Sequence, residues 1–297
     1  MTYIIYNILR FLFKAIALLP LGVLYVFADF LYFLLYHVVR YRRAVVEDNL
    51  RQCFPDKDEA WIKETEKKFY RHFADCFVET VKLLHISDEE IERRVEFVNV
   101  EIIDNLTAQG KSIVVYFSHC GNWEWAPSVT LHAHTEGVEY CQVYRPLRNK
   151  AFDELMLHLR SRFGSVSFPK STVFRDLFRL KAKGIVTVTG FMSDQKPSHG
   201  DPTYVTMFLN RPTAFITGTE TLAARLGMAT VYWDMEKISR GHYRIVTRLI
   251  SDGSQKPEHN ELTRKYSQML ETTILRDPSI WLWTHKRWKN KVTLNPE

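Results

Sequence analysis

The run Ile113-Val114-Val115-Tyr116-Phe117, followed at once by Ser118-His119-Cys120-Gly121-Asn122-Trp123-Glu124, constrains the chain more than any other stretch. Apolar, β-branched and aromatic residues bounded by a Gly-Asn turn signal read as a buried strand. In open α/β sheets ligand chemistry gathers at the carboxyl ends of strands, and this strand delivers His119 to that edge. Trp123-Glu124-Trp125 then begins a helix with a carboxylate in its first turn, so Glu124 can face the imidazole. A carboxylate accepting from one ring nitrogen fixes the tautomer and leaves the other free as a general base. The plainer reading has His119 capping the sheet and Glu124 solvated.

Strands and helices alternate around this point. From Asp56 to Leu84 the positions Ile62, Phe69, Phe73, Cys76, Phe77, Thr80 and Leu84 recur at helical spacing. Ser87 with Glu90 has the form of a capping box for the next helix. A short strand near Phe97 and a helix ending at Gly110 lead into the histidine strand. Beyond it, strands at Glu139–Tyr144, Val166–Phe168 and Ile185–Thr189 alternate with helices at Phe152–Phe163 and Thr172–Lys183. The expected fold class is therefore α/β: a largely parallel mixed sheet flanked by helices. Asp194 falls just past the strand at Ile185–Thr189, again at a carboxyl edge. Ser198 to Pro212 reads as a long active-site loop, with a short strand at Tyr204–Phe208 as the alternative. A helix at Thr217–Leu226, strands near Val231 and Ile245, and a helix from about Glu258 to Leu275 follow.

Ala15 through Tyr36 is apolar with Asp29 as its one charge. About thirteen strongly apolar residues at roughly −0.3 to −0.6 kcal/mol each outweigh about +3 kcal/mol for a central Asp. The domain expectation is an N-terminal membrane anchor over residues 1–40 and a catalytic domain over 41–297. Pro20 and Gly22 weaken the helix, so a segment lying partly in the interface is the alternative to a span. Arg10 and Lys14 precede the stretch, and Arg40, Arg42, Arg43 and Arg51 follow it, which biases its carboxyl side to the cytoplasm.

A formal charge of +6 and a pI near 9.0 favour an anionic partner: a membrane surface, a phosphorylated lipid or an acidic protein. Zinc-finger spacing, a basic heptad helix and RNA-binding aromatic signatures are missing, so nucleic acid is not expected. Four cysteines, Cys53, Cys76, Cys120 and Cys141, form no Cys-x-x-Cys pair and read as reduced, packed thiols. Cys120 beside His119 would point to the opposite face if the strand persists. With no His-Glu-x-x-His, no Gly-x-Ser-x-Gly elbow and no Walker loop, no metal and no cofactor are expected. The closing stretch, Trp281 to Lys291, interleaves aromatics with Lys and Arg, as an interfacial segment or a core-packed terminus would.

The His-x4-Glu spacing resembles the His-x4-Asp/Glu dyad of membrane glycerolipid and lipid A acyltransferases. Further matches to the lipid A late acyltransferase family follow in order: Val143-Tyr144-Arg145-Pro146 with Asn149, Arg160-x-Arg162, Asp194-Gln195, Thr217-Gly218 with Leu222-Ala223, and the ending Trp281-Leu282-Trp283-Thr284-His285-Lys286-Arg287-Trp288-Lys289. The resemblance covers most of residues 41 to 290. It departs at Ser193-Asp194-Gln195-Lys196-Pro197, which leaves the acceptor open. It implies a glycerolipid acyltransferase-like fold and transfer of a fatty acyl group from an acyl carrier protein thioester to a hydroxyl of a lipid A precursor. The setting would be the inner membrane, with the catalytic domain facing the cytoplasm. His119 would be the base, with Glu124 steadying the imidazolium. The helix face alone does not choose between Arg160 and Arg162; the resemblance puts Arg160 where an arginine is implicated in activity, with Asp194 as its partner. Asn122, Arg145, Arg162 and Gln195 are expected to bind substrate. Acylation of another membrane glycolipid or lysolipid, a thioesterase using the same dyad, and an anchored binding protein are the competing readings.

Overall fold

A computed structural model describes residues 11–294. In chain order its elements are α1 (Leu21–Phe33, continued by a π-helical turn at Leu34–Val38), α2 (Arg43–Cys53), α3 (Glu59–Lys82), α4 (Asp88–Arg94), β1 (Val95–Val98), α5 (Glu101–Ala108), β2 (Ile113–Phe117), a 3₁₀ helix (Trp123–Leu131), β3 (Glu139–Tyr144), α6 (Lys150–Arg160), β4 (Val166–Pro169), α7 (Val173–Ala182), β5 (Thr187–Met192), β6 (Thr203–Phe208), β7 (Arg211–Ile216), α8 (Gly218–Leu226), β8 (Ala229–Ser239), β9 (His242–Ser251) and α9 (Glu261–Arg276), followed by a 3₁₀ turn at Pro278–Ile280. Side chains cap the starts of α3 and α4: the Asp58 carboxylate accepts from the Trp61 N–H at 2.8 Å, and the Ser87 hydroxyl accepts from the Glu90 N–H at 3.2 Å.

Seven strands form one mixed sheet in the order β1-β9-β8-β2-β5-β3-β4. From β8 to β4 the strands run parallel; β9 returns antiparallel to β8 and carries β1 parallel to itself. All residues of β2 are buried, which explains its unbroken apolar run. Ile113, Val115 and Phe117 enter one core with Ile103, Leu106, Leu155 and Leu159, while Val114 and Tyr116 enter the other with Leu222, Tyr266 and Leu270. Each such burial stabilises the fold by about 1.5–3 kcal/mol, so a polar replacement in β2 weakens whichever of the two layers its side chain enters.

One expectation is corrected. The segment from Ser198 to Pro212 is not one long loop: β6 and β7 pair as an antiparallel hairpin turning at Leu209 and Asn210, both at positive φ. Pro212 fits there because a two-stranded ribbon leaves every strand an edge. The expected helix from Trp123 is present with Glu124 in its first turn; it winds as a 3₁₀ helix and contains Pro127.

α1 lies along α3. Leu21, Leu24 and Ala28 are buried, the Tyr25 hydroxyl donates to Glu79 Oε1 at 2.9 Å, and Arg240 pairs with Asp29 at 2.7 Å. The Lys82 ammonium caps the preceding helical turn by donating to the Ala17 and Leu19 carbonyls at 3.0 Å each. Leu21–Val38 is long and apolar enough to cross a membrane by length and composition, and only 22% of it is buried. Val23, Val26, Phe27, Phe30 and Phe33 face outward. Packing does not stop at residue 40, because Tyr36 shares a core with Val46, Leu50 and Tyr70. Arg10, on the amino side of the apolar stretch, lies outside the described residues.

Candidate active site

β2 ends between β5 and β8, so whatever follows Phe117 emerges at the middle of the sheet's carboxyl edge. The chain then turns at Gly121, where φ is +61° and an added Cβ would sit 2.4 Å from Met235 Sδ. Only glycine fits such a position without strain. The Gly121 N–H donates to the Ile280 carbonyl at 2.9 Å, and Cys120 forms a bridge with Trp281, so the closing segment is sewn onto the turn. Trp281 and Trp283 are buried, which makes this tail core rather than an interfacial strip. Cys120 is fully buried, and burial pushes its thiol pKa up.

His119 Nδ1 lies 2.8 Å from Asp194 Oδ1, and the His119 backbone N–H donates to Asp194 Oδ2 at 3.0 Å. Trp281 Nε1–H donates to the same Oδ2 at 2.9 Å. Burial by itself would raise the Asp194 pKa, but the neighbouring His119 ring and these hydrogen bonds outweigh it and hold the carboxyl down at about 2. An ionised acceptor on Nδ1 assigns the proton to that nitrogen, leaving Nε2 with its lone pair. Nε2 faces the Gln195 amide nitrogen at 3.2 Å, and the His119 side chain is 14% exposed, so a hydroxyl can reach it. The Trp123 ring stands edge-on to the imidazole with centroids 4.9 Å apart.

The expectation that Glu124 faces the imidazole is corrected: Asp194 takes that place. Glu124 instead holds Arg160 in a two-pronged pair, Nε to Oε2 at 2.8 Å and Nη2 to Oε1 at 2.6 Å, and accepts from Trp123 Nε1 at 3.2 Å. Arg160 therefore pairs with Glu124 rather than with Asp194. A planar fork meeting a carboxylate is the strong form of this contact, and among the described residues no acceptor takes the remaining guanidinium N–H groups.

The expected substrate-binding residues separate. Gln195 is at the histidine. Arg145 is exposed at the end of β3. Asn122 is buried and donates to Glu79 Oε2 at 2.8 Å, which turns its amide inward. Arg162 leaves the opposite flank of its helix end and binds Asp88 Oδ1 at 2.9 Å and the Ile86 carbonyl, so its polar contacts secure the segment leading into α4.

Sequence reasoning missed two supporting groups. Glu79 is a buried acid that accepts from Tyr25, Asn122 and Tyr243, linking α1 to the turn between His119 and Glu124. Burial raises its pKa, against the pull of those donors. His285 accepts from the Lys196 N–H through Nε2 at 3.1 Å and so positions the segment bearing Gln195; burial lowers its pKa to about 4, which keeps it neutral.

Residues 1–290 match the family model for bacterial lipid A biosynthesis acyltransferases. The chain belongs to this family. Similar proteins include a lipid A biosynthesis acyltransferase of Haemophilus influenzae, 22% identical over 250 residues covering 83% of this chain and 76% of the relative. A lipid A biosynthesis lauroyltransferase of Escherichia coli K12 is 24% identical over 253 residues, covering 84% and 80%. As a lipid A acyltransferase the chain is a transferase of a membrane-associated family that takes an acyl donor and a lipid acceptor.

Proposed function

We propose that this lipid A acyltransferase moves a fatty acyl group from an acyl carrier protein thioester to a hydroxyl of a lipid A precursor, with His119 as general base and Asp194 as the carboxylate that orients it. The hydroxyl displaces the Gln195 amide from Nε2 and gives up its proton there. Its oxygen attacks the thioester carbonyl carbon, the C–S bond breaks, and the departing thiolate recovers the proton from Nε2. No covalent enzyme intermediate is needed. Arg160, held in plane by Glu124, supplies its remaining N–H groups to the negative charge on the carbonyl oxygen or to an acceptor phosphate. The observation that carries this reading is the 2.8 Å contact between Asp194 and Nδ1, with Nε2 turned outward.

Net charge of +6 suits an acidic carrier protein and an anionic acceptor. α1 seats its outward apolar face in the inner membrane while its contacts to Glu79 and Arg240 keep it on the catalytic domain, which faces the cytoplasm; Arg40, Arg42 and Arg43 on its carboxyl side support that orientation. Mass spectrometry of lipid A from a strain lacking the gene tests the acceptor: loss of one secondary acyl chain, restored by the wild-type gene, is expected. Unchanged lipid A, or free fatty acid as the main product of the purified protein with acceptor present, rejects it.

A further inference from the structure

A second polar site opens on the same edge of the sheet. β8 runs parallel to β2, so Lys237 near its carboxyl end emerges on the edge that bears His119. There α1, α3 and the β8–β9 turn enclose a cleft of about 760 Å³. That volume is in the range of small-ligand sites. α3 stands between it and the catalytic histidine: Cys76 donates to the Gly121 carbonyl at 3.5 Å, while His72, one turn earlier, lines the cleft.

The walls carry Lys68, Arg71, Lys237 and Arg240 against Asp29 and Asp75, four cations to two carboxylates. Arg240 is paired with both acids, at 2.7 and 2.6 Å, and Lys237 reaches Asp75 at 3.6 Å and His72 Nδ1 at 3.2 Å. Arg71 has no carboxylate partner among the described residues; its guanidinium lies 5.2 Å from the centroid of the Tyr32 ring. Lys68 pairs, among the described residues, only with Glu64, 3.8 Å away on its own helix and outside the cleft. The excess charge thus collects on two exposed side chains at the rim.

The neighbouring surface states what kind of anion belongs here. At 100° per residue, Phe33, Val26 and Phe30 follow Asp29 around α1 by about 40°, 60° and 100°. All three are exposed. An apolar strip therefore runs directly beside a cationic cleft, the pairing that a lipid with a charged head and hydrocarbon tails satisfies. We propose that the cleft holds the phosphodiester headgroup of an anionic glycerophospholipid of the bilayer, with its acyl chains along the outward face of α1, as a site separate from the acceptor site. Lys68 and Arg71 contact the phosphate, and Lys237 and Arg240 form the floor.

The test uses the full-length protein in detergent, titrated calorimetrically with monomeric dihexanoyl-phosphatidylglycerol, dihexanoyl-phosphatidylcholine or inorganic phosphate. Saturable binding of the phosphatidylglycerol is expected, with the other two at least about tenfold weaker. The double variant Lys68→Glu/Arg71→Glu should weaken it at least about tenfold, and Arg175→Glu on α7 should leave it unchanged. Arg71→Gln, which removes one charge without reversing it, covers the case in which the double variant does not fold. Equal binding of phosphatidylcholine or of inorganic phosphate overturns the proposal, as does wild-type affinity in Arg71→Gln and in a folded double variant. A raised KM for the lipid acceptor in Arg71→Gln or in the folded double variant, measured as acyl transfer in detergent without added phospholipid, would assign the cleft to the acceptor and overturn it as well.

Discussion

Asp194→Asn removes one charge from the site and almost no volume. Asp194 is 2% exposed, and its carboxyl is held at about 2 against a usual 3.8, most directly by His119. At 1.36 kcal/mol per pKa unit that difference is worth about 2 kcal/mol, or roughly 10² in rate if it is expressed on the imidazolium of the transition state. A second loss adds to it. The Asn carbonyl oxygen can still accept from Trp281 Nε1, but the NH₂ group then faces Nδ1 and selects the tautomer whose Nε2 carries the proton and is no longer a base. An equivalent carboxylate-to-amide change in a hydrolase triad costs about 10⁴. Turnover should therefore fall by about 10² to 10⁴ with folding retained. The assay is single-turnover transfer from acyl carrier protein thioester at saturating acceptor, with melting temperature measured in parallel. Transfer in Asp194→Asn within about threefold of wild type would refute the reasoning, since general-base catalysis is worth far more than that. Glu124→Gln, run beside it, should keep the base intact and lose only the grip on Arg160.

Three further outcomes follow from the geometry. Arg160→Lys keeps a charge but loses the fork on Glu124, so transfer should fall by about tenfold or more; Arg162, which binds Asp88 and Ile86 and lies over the Phe163 ring, is remote from that pair, so Arg162→Lys should stay within about threefold, and equal rates for the two would contradict these placements. Gly121→Ala puts a Cβ against Met235 at positive φ, which should cost about 2–4 kcal/mol and lower the melting temperature by several degrees; an unchanged melting curve would deny the close approach. His285 has a folded pKa of about 4, below its unfolded value, so on acidification the unfolded chain takes up a proton first. Its contribution to stability is complete above about pH 6.5 and is lost as pH falls towards 4. His285→Gln, whose carbonyl can accept from Lys196 without titrating, should flatten melting temperature against pH over that window, and parallel curves would count against the assignment.

The strand that carries His119 was legible because burial on both faces writes an uninterrupted apolar run, and Asp194 was legible as a residue just past another such strand. Which carboxylate meets the imidazole was not. Glu124 is close in sequence, but the 3₁₀ winding with Pro127 aims it at Arg160; Asp194 is 75 residues from His119 and arrives because β5 lies next to β2. Strand adjacency of that kind leaves no trace in local periodicity. α3 shows a second reason. Phe77 was expected to face the core and is half exposed, while the buried stripe passes through Thr65, Phe69, His72, Cys76 and Glu79. Polar residues inside the stripe blurred its phase, and with it the link from Tyr25 through Glu79 to Asn122. β6 was legible as the short strand offered at Tyr204–Phe208, but its partner β7 was hidden by Pro212, which reads as a loop residue until its strand is known to be an edge. The tail was ambiguous on composition, and its direct contact with Asp194 through Trp281 depends on the whole fold being closed.

The role of His119 as base for acyl transfer is tested by the transfer rate of purified full-length His119→Ala with an acyl carrier protein thioester and a lipid A precursor, both saturating. A loss of about 10² or more, with melting temperature and binding of both substrates unchanged, is the result expected of a general base. Near-wild-type turnover in the folded variant would contradict it.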